Sequence, residues 1–333
     1  MNPADGFSFV VQPDLKKVSE LICKTWARPC WNYDTGLLQL HINRPSGDPT
    51  LAIAQADGDG TLASFQAYMP FDVEYYGQKY RSVFASFLTV SGDFQGRGLA
   101  GPQQGALIEA AIEKNYDLYI TMCEVGAFSN IAVEKIFGKK GMKAKIVNVL
   151  NYLASPREIA SKVLPENASG KTRPYSKSDK SAIVDMVGSL GQSTSLRKLI
   201  PEDDLNFLFA DRAHTKTWVY EKDGDIKGLI NILTLEVLDV DDTKLNVYFD
   251  NIAIDGLSED EQIEFIGDIM LEIQALNYHT AFVPNTGYAP VDVFRKFRFR
   301  IAPRQINLYV IPLKDNILKD GAKEVGSFFM DVY

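Results

Sequence analysis

The 333-residue chain is poor in the residues that build disulfide frameworks and metal centres: it has three cysteines and three histidines. Cys23, Cys30 and Cys123 are odd in number and lack framework spacing, which excludes a disulfide scaffold and points to reduced thiols in a cytoplasmic setting. His41, His214 and His279 are scattered, with no metal-ligand spacing, so no metal site is expected. No Walker loop, zinc motif or Ser/His/Asp signature occurs. No apolar run approaches a membrane span. The opening M-N-P-A-D-G-F has no basic region followed by an apolar core, so no signal peptide is expected. Basic residues are also in deficit, 35 against 43 acidic ones, for a formal charge of −8. That balance argues against broad binding to nucleic acid or to an anionic membrane, and neither is an expected partner. Nothing in the sequence sets the oligomeric state.

What is present is ordinary for a soluble globular protein, with 46% hydrophobic and 23% charged residues and a length that fits two domains. The most informative stretch is Leu88–Ala100, L-T-V-S-G-D-F-Q-G-R-G-L-A. A strand-like run (Val83–Val90) enters it and a helix-like run (Pro102–Asn115) leaves it. Between them Gly96 and Gly98 are flanked by Gln95 and Arg97. Such a loop can turn its backbone N–H groups toward one anion at a helix start, where unpaired donors and partial positive charge suit a phosphate. Arg97, Lys139 and Lys140 could add local charge; solvated surface residues are the plainer reading of the lysines.

Two readings of the loop compete. Gly96, Gly98 and Gly101 spell the dinucleotide pattern G-x-G-x-x-G, and Glu124 ends the next strand-like run (Leu118–Glu124) roughly where a ribose-binding carboxylate would sit. Against this, Ser91–Gln95 separate the strand from the glycines. Upstream the chain reads as hairpins: Leu51–Gln55, the turn Asp57-Gly58-Asp59-Gly60, Leu62–Tyr75, the turn Tyr76-Gly77-Gln78, then Tyr80–Val90. The Asp57–Gly60 turn resembles the opening of a calcium loop, but Tyr68 holds the twelfth place where Glu is required.

The second reading is Q-x-x-G-x-A, formed by Gln95, Gly98 and Ala100, which resembles the acyl-CoA pyrophosphate loop of the GCN5-related N-acetyltransferase (GNAT) superfamily. Asn130–Met142 resembles the superfamily's helix signature N-x-x-A-x-x-x-Y-x-x-x-G-F, with Asn130, Val133, Phe137, Gly141 and Met142 at matching positions. The resemblance covers residues ~45–155 and implies an α/β (α+β) fold: a mixed, mostly antiparallel sheet flanked by helices. Ser155–Ser178 reads as a connector with a short helical piece at Arg157–Val163. Beyond it the order of elements repeats: Thr217–Tyr220, a turn at Lys222–Asp225, Ile226–Val237, Leu245–Ile254, a helix over Glu261–Asn277, Ala281–Val283, and a last strand Gln305–Pro312. Asn115-Tyr116 and Asn277-Tyr278 end the two long helices alike, and Val293–Phe299 echoes Val133–Met142.

The expected organisation is therefore tandem: an acyl-CoA-binding domain over 1–160 and a degenerate GNAT-like domain over 161–333. In the second copy Asp255-Gly256-Leu257-Ser258-Glu259-Asp260 stands where the loop should be, and its carboxylates would repel a diphosphate. None of the known tandem relatives (mycothiol synthase-like, aminoglycoside-modifying, peptidoglycan Fem-like, N-myristoyltransferase) is matched closely. The G-A-K-E-V-G of Gly321–Gly326 faintly resembles the end of N-myristoyltransferases.

The resemblance implies N-acyl transfer from acyl-CoA, most simply acetyl-CoA, to a small amine or amino-acid-like acceptor. It implies direct transfer, with the two reactants held in line and the thioester carbonyl polarised. By the same resemblance the backbone around Leu88 and Val90 would face the thioester oxygen. The amides of Gln95, Gly96, Arg97, Gly98, Leu99 and Ala100 would hold the pyrophosphate. Asn130 would contact the pantetheine arm or cap its helix. Many relatives carry tyrosine where Phe137 stands, and phenylalanine cannot donate a proton. Tyr119, Cys123 or water would then serve, although Cys123 also reads as a plain core thiol. Candidate general bases are Glu124 and the terminal carboxylate of Tyr333. The rival readings are a longer-chain acyltransferase and a non-catalytic CoA sensor, the latter drawing on Phe137.

Overall fold

A computed structural model describes residues 2–319 and 321–331. The chain divides into two compact units, Met1–Val149 with Ile306–Val325, and Leu150–Gln305 with Gly326–Tyr333. No helix among the described residues is long and apolar enough to cross a membrane.

Unit 1 opens with β1 (Ser8–Val11), α1 (Leu15–Thr25), β2 (Cys30–Trp31) and α2 (Thr35–Ile42), a region without a sequence motif. Asp14 and Asp34 cap the two helices by accepting from Lys16 N and Leu37 N at 2.8 Å each. Then come β3 (Ala52–Ala56), β4 (Leu62–Tyr75), β5 (Gln78–Val90), α3 (Ala100–Glu113), β6 (Leu118–Glu124), α4 (Phe128–Lys139) and β7 (Lys145–Pro156). The Asp57 turn is closed by its own carboxylate, which accepts from Asp59 N at 3.0 Å and Thr61 N at 2.9 Å. Tyr76 and Gly77 both take positive φ, the two-residue hairpin geometry that matches strand twist. Strand β4 is buried on nearly every residue, because helices cover both faces. Tyr68, Val83 and Tyr119 meet Leu107, Ile108, Val133 and Phe137 on one face. Phe65 and Phe87 meet Tyr33 and His41 on the other.

Unit 2 continues through α5 (Arg157–Ala160), β8 (Thr172–Pro174), α6 (Lys180–Gly188), β9 (Leu196–Leu199), α7 (Leu205–Phe209), β10 (Thr215–Lys222), β11 (Asp225–Leu238), β12 (Thr243–Ala253), α8 (Glu259–Gln274), β13 (Thr280–Pro284) and α9 (Val291–Lys296). Strand β14 (Arg300–Pro312) leads back to unit 1, and β15 (Phe328–Phe329) pairs with β9. The core lies between α8, α9 and the sheet, around Phe249, Phe265, Ile269, Phe294 and Phe299. Lys198 of β9 and Asp331 form a buried ion pair at 2.7 Å.

The two units repeat one topology. Unit 1 runs β1-β3-β4-β5-β6-β14 and unit 2 runs β8-β10-β11-β12-β13-β7, each mostly antiparallel with one parallel pair, β5 with β6 and β12 with β13. Asn115 and Asn277 both take positive φ behind their helices, each followed by a buried tyrosine. Met142 N donates to Phe137 O, and Phe299 N donates to Phe294 O, the same closure at the ends of α4 and α9. The last strand of each sheet comes from the other half of the sequence. Ile306–Pro312 pairs with β6 in unit 1, and Tyr152–Pro156 pairs with β13 in unit 2. The sequence-based division at 160/161 treats the halves as contiguous, which this exchange is not. Within the expected connector, β7 runs to Pro156, and the helical piece is Arg157–Ala160.

Candidate active site

Strands β5 and β6 pair in parallel from Ser82 with Leu118 to Ala85 with Thr121, and the pairing ends there. Beyond it β6 follows β14 while β5 follows β4, so a wedge opens at the carboxyl ends of the two strands. A bulge in β5 drives the parting. Phe65 faces Thr89 and Ala67 faces Ser86, so Gln66 opposes two residues, Phe87 and Leu88. Phe87 has φ +63°, a conformation that costs a non-glycine residue about 1–2 kcal/mol. Its ring is held at 5.1 Å from Tyr33 and 5.8 Å from His41. Its carbonyl accepts from Thr89 Oγ at 2.9 Å, and that hydroxyl accepts from Trp26 Nε1 at 2.9 Å. With Phe87 and Thr89 buried, Leu88 and Val90 are left half-buried along the wedge.

Past Val90 a 3₁₀ turn (Gly92–Phe94) leads into the glycine loop. Gln95, Gly96, Arg97 and Gly98 are exposed, and Leu99 is buried. Gly96 and Gly98 have φ +79° and +76°, conformations that L side chains rarely adopt. Leu99 is the N-cap of α3, and no side chain caps it. No side chain caps the first-turn amides of Ala100 and Gly101, and Pro102 has no N–H to satisfy. The Arg97 guanidinium lies over the Phe94 ring at 5.2 Å, so its charge stays beside the loop. Gln55 anchors the loop from beneath: it is fully buried, and its Nε2 donates to Leu99 O at 2.9 Å and to Ser64 Oγ at 3.0 Å.

Glu124 ends β6 on the exposed side of the wedge. Asn130 lies in the first turn of α4, whose N-cap is Ala127, so the helix cap, one of its two expected roles, falls to another residue. Its Nδ2 donates to Glu124 O and Ala127 O at 2.6 and 3.0 Å, and its Oδ1 accepts from Asn307 Nδ2 and Tyr309 OH at 2.9 and 3.0 Å. Asn130 thus ties α4 to the ends of β6 and β14. Phe137 is fully buried with its ring 4.6 Å from Tyr119, whose hydroxyl accepts from Gln104 Nε2 at 3.2 Å. Burial pushes the Tyr119 hydroxyl far above its usual range and raises the Cys123 thiol too, so both hold their protons. Cys123 is a core residue, in keeping with the plainer reading of it. Tyr333 lies outside the described residues.

The helix of unit 2 that corresponds to α3 is built differently. Ser258 caps α8 in a reciprocal capping box, accepting from Glu261 N at 3.4 Å while Glu261 accepts from Ser258 N at 2.9 Å. Lys222 and Ser258 hold the Glu261 carboxyl down to about 2. Glu259, Asp260 and Glu261 fill the first turn, so an anion there meets negative charge where α3 presents open amides. Among the described residues no cluster of three or more metal-ligating side chains occurs.

The bulge at Phe87 had no legible signal, and the buried Gln55 had only the hint of its polarity within an otherwise apolar strand.

No protein-family model and no curated protein matches the chain. Solved structures do. N-myristoyltransferase of Saccharomyces cerevisiae with bound myristoyl-CoA superposes with a TM-score of 0.76 at 13% identity, over 93% of this chain and 83% of that one. A GCN5-related N-acetyltransferase from Anabaena variabilis gives 0.58 at 9% identity, over 92% and 73%. A protein of Enterococcus faecalis V583 described as a probable N-acyltransferase gives 0.55 at 10% identity, over 92% and 71%. The chain has the fold of the GNAT superfamily. The likeness spans both units, and at these identities it speaks to fold.

Proposed function

We propose that this chain is an acyl-CoA-dependent N-acyltransferase. The observation that carries the reading is the exposed loop Gln95–Ala100, with two positive-φ glycines, at the uncapped N-terminus of α3, directly after the strand that parts from β6. Main-chain donors there suit the diphosphate of coenzyme A. The bulged backbone around Leu88 and Val90 lies at the wedge where the thioester would lie, and its amides would stabilise charge on the carbonyl oxygen. The acceptor amine attacks that carbonyl, and the amide forms as the C–S bond breaks. The amine's proton goes to a base and the thiolate takes one from solvent. Glu124 is the candidate base by position. Phe137 and the proton-retaining Tyr119 and Cys123 favour a thiolate that leaves without protein acid.

The acceptor in this reading is a small amine, an amino acid or a peptide amino terminus. The motif alone suggests an acetyl donor. The likeness to a structure holding myristoyl-CoA, at 0.76 against 0.58 and 0.55, supports a long-chain donor instead, and we place that reading first. Isothermal titration with acetyl-CoA and myristoyl-CoA separates the two. Thiol release measured across amines and short peptides separates an enzyme from a CoA sensor. Failure of the protein to bind coenzyme A in any form overturns both.

A further inference from the structure

Three large apolar residues stand exposed within seven positions of one another in unit 1: Val125 at 46%, Phe128 at 77% and Ile131 at 59%. Single exposed hydrophobics are ordinary; a contiguous group at the tip of an element is not. On α4 the inner face carries Ala132, Val133 and Phe137, all buried. At 100° per residue, positions 128, 131, 135 and 139 fall within an arc of about 80° and span about 16 Å of helix. The outer stripe therefore reads Phe128, Ile131, Lys135, Lys139: apolar at its start, cationic at its end. Exposed Lys143 and Lys145 follow immediately. Lys140, on the flank, pairs with Glu109 at 3.6 Å.

We propose that this face of α4 docks on a bilayer surface containing anionic lipid. Val125, Phe128 and Ile131 enter the headgroup boundary, and Lys135, Lys139 and Lys143 meet lipid phosphates and carboxylates. Charge complementarity selects this partner, because exposed lysines follow the exposed apolar residues along the same stripe. The apolar group lies at a helix start and in the loop before it. A soft apolar medium accepts such side chains directly, whereas a folded protein would need a matching groove. Nucleic acid would satisfy the lysines and leave the phenylalanine bare. The rest of the chain is acidic, so the attraction is local and short-ranged and weakens with salt. The proposal does not rest on the acyl-transfer reading.

The test is co-sedimentation of the full chain with phosphatidylcholine vesicles, with and without phosphatidylserine. The native protein should partition on the order of tenfold more strongly onto the anionic vesicles, and added salt should erase the difference. The variants Phe128→Ser/Ile131→Ser and Lys135→Glu/Lys143→Glu should each lose about that factor, with unfolding midpoints unchanged because these side chains are exposed. Absence of vesicle binding by the native protein overturns the proposal. So does full vesicle binding by either variant, including the case where Phe128→Ser/Ile131→Ser weakens coenzyme A binding instead and so assigns the face to the co-substrate.

Discussion

The side-chain amide of Gln55 donates to the main-chain carbonyl of Leu99 at 2.9 Å, joining the middle of a buried strand to the last loop residue before α3. Its Oε1 also accepts from Ala4 N at 3.2 Å. Gln55→Leu keeps the bulk and removes all of these partners. The orphaned groups should cost about 1–3 kcal/mol of stability. Because the lost bond fixes the loop, coenzyme A affinity should fall by roughly tenfold, equivalent to about 1.4 kcal/mol. Urea unfolding and isothermal titration measure the two effects separately. A destabilised variant with native affinity would detach the loop from the binding site.

Gly98→Ala tests the loop conformation without adding a clash. A Cβ at that position meets open space, yet φ is +76°. The strain is about 1 kcal/mol, relieved by letting the exposed loop relax. Coenzyme A binding should therefore weaken more than global stability does. Gly101→Ala is the stability control: Gly101 is helical, and alanine there should gain about 0.5–1 kcal/mol.

The contrast between these two glycines shows how far sequence reading reaches. Strands β4 and β6 were legible to the residue because their apolar runs are bounded by strong turns. The repeat was legible in Asn-Tyr after both long helices, since a positive-φ residue followed by a buried aromatic has few sequence solutions. The bulge was not, because Phe87 is held in its rare conformation by rings distant in sequence, Tyr33 and His41. The tie that Asn130 makes between α4, β6 and β14 was not legible. The residue's position in the motif was plain, but its partners Asn307 and Tyr309 arrive 177 and 179 residues later on β14. That exchange of last strands is a long-range pairing with no local signature.

Asn130 gives the next prediction. Asn130→Ala removes two donations and leaves the hydroxyl and amide of Tyr309 and Asn307 without their shared acceptor. The expected cost is about 2–3 kcal/mol. Asn130→Asp keeps the acceptor and loses both donors, and should fall between. If Glu124 acts at the wedge, Asn130→Ala should also lower turnover more than it raises KM, because the same bond fixes the end of β6. A purely structural Asn130 would instead lower the active fraction and leave KM and turnover per folded molecule unchanged.

In unit 2, Arg173 holds Asp179 through two bonds, Nη1 at 2.7 Å and Nη2 at 3.1 Å, and reaches Glu221 with Nε at 2.9 Å. The guanidinium keeps the Asp179 carboxyl below its ordinary value. A carboxyl with a lowered folded-state pKa stabilises the protein fully above its unfolded value, near 3.9, and loses that contribution as pH falls through the folded value. Arg173→Gln should therefore cost about 1 kcal/mol at pH ~7, damped because the Arg173 side chain is 38% exposed. The cost should be the same at pH ~5, above the unfolded value, and shrink as the pH falls below that value and through the folded one. Urea unfolding at pH ~7, at pH ~5 and further down the acid range measures it. A difference between variant and native that stays constant down to the lowest pH would assign the effect to packing of the arginine stem and not to its charge.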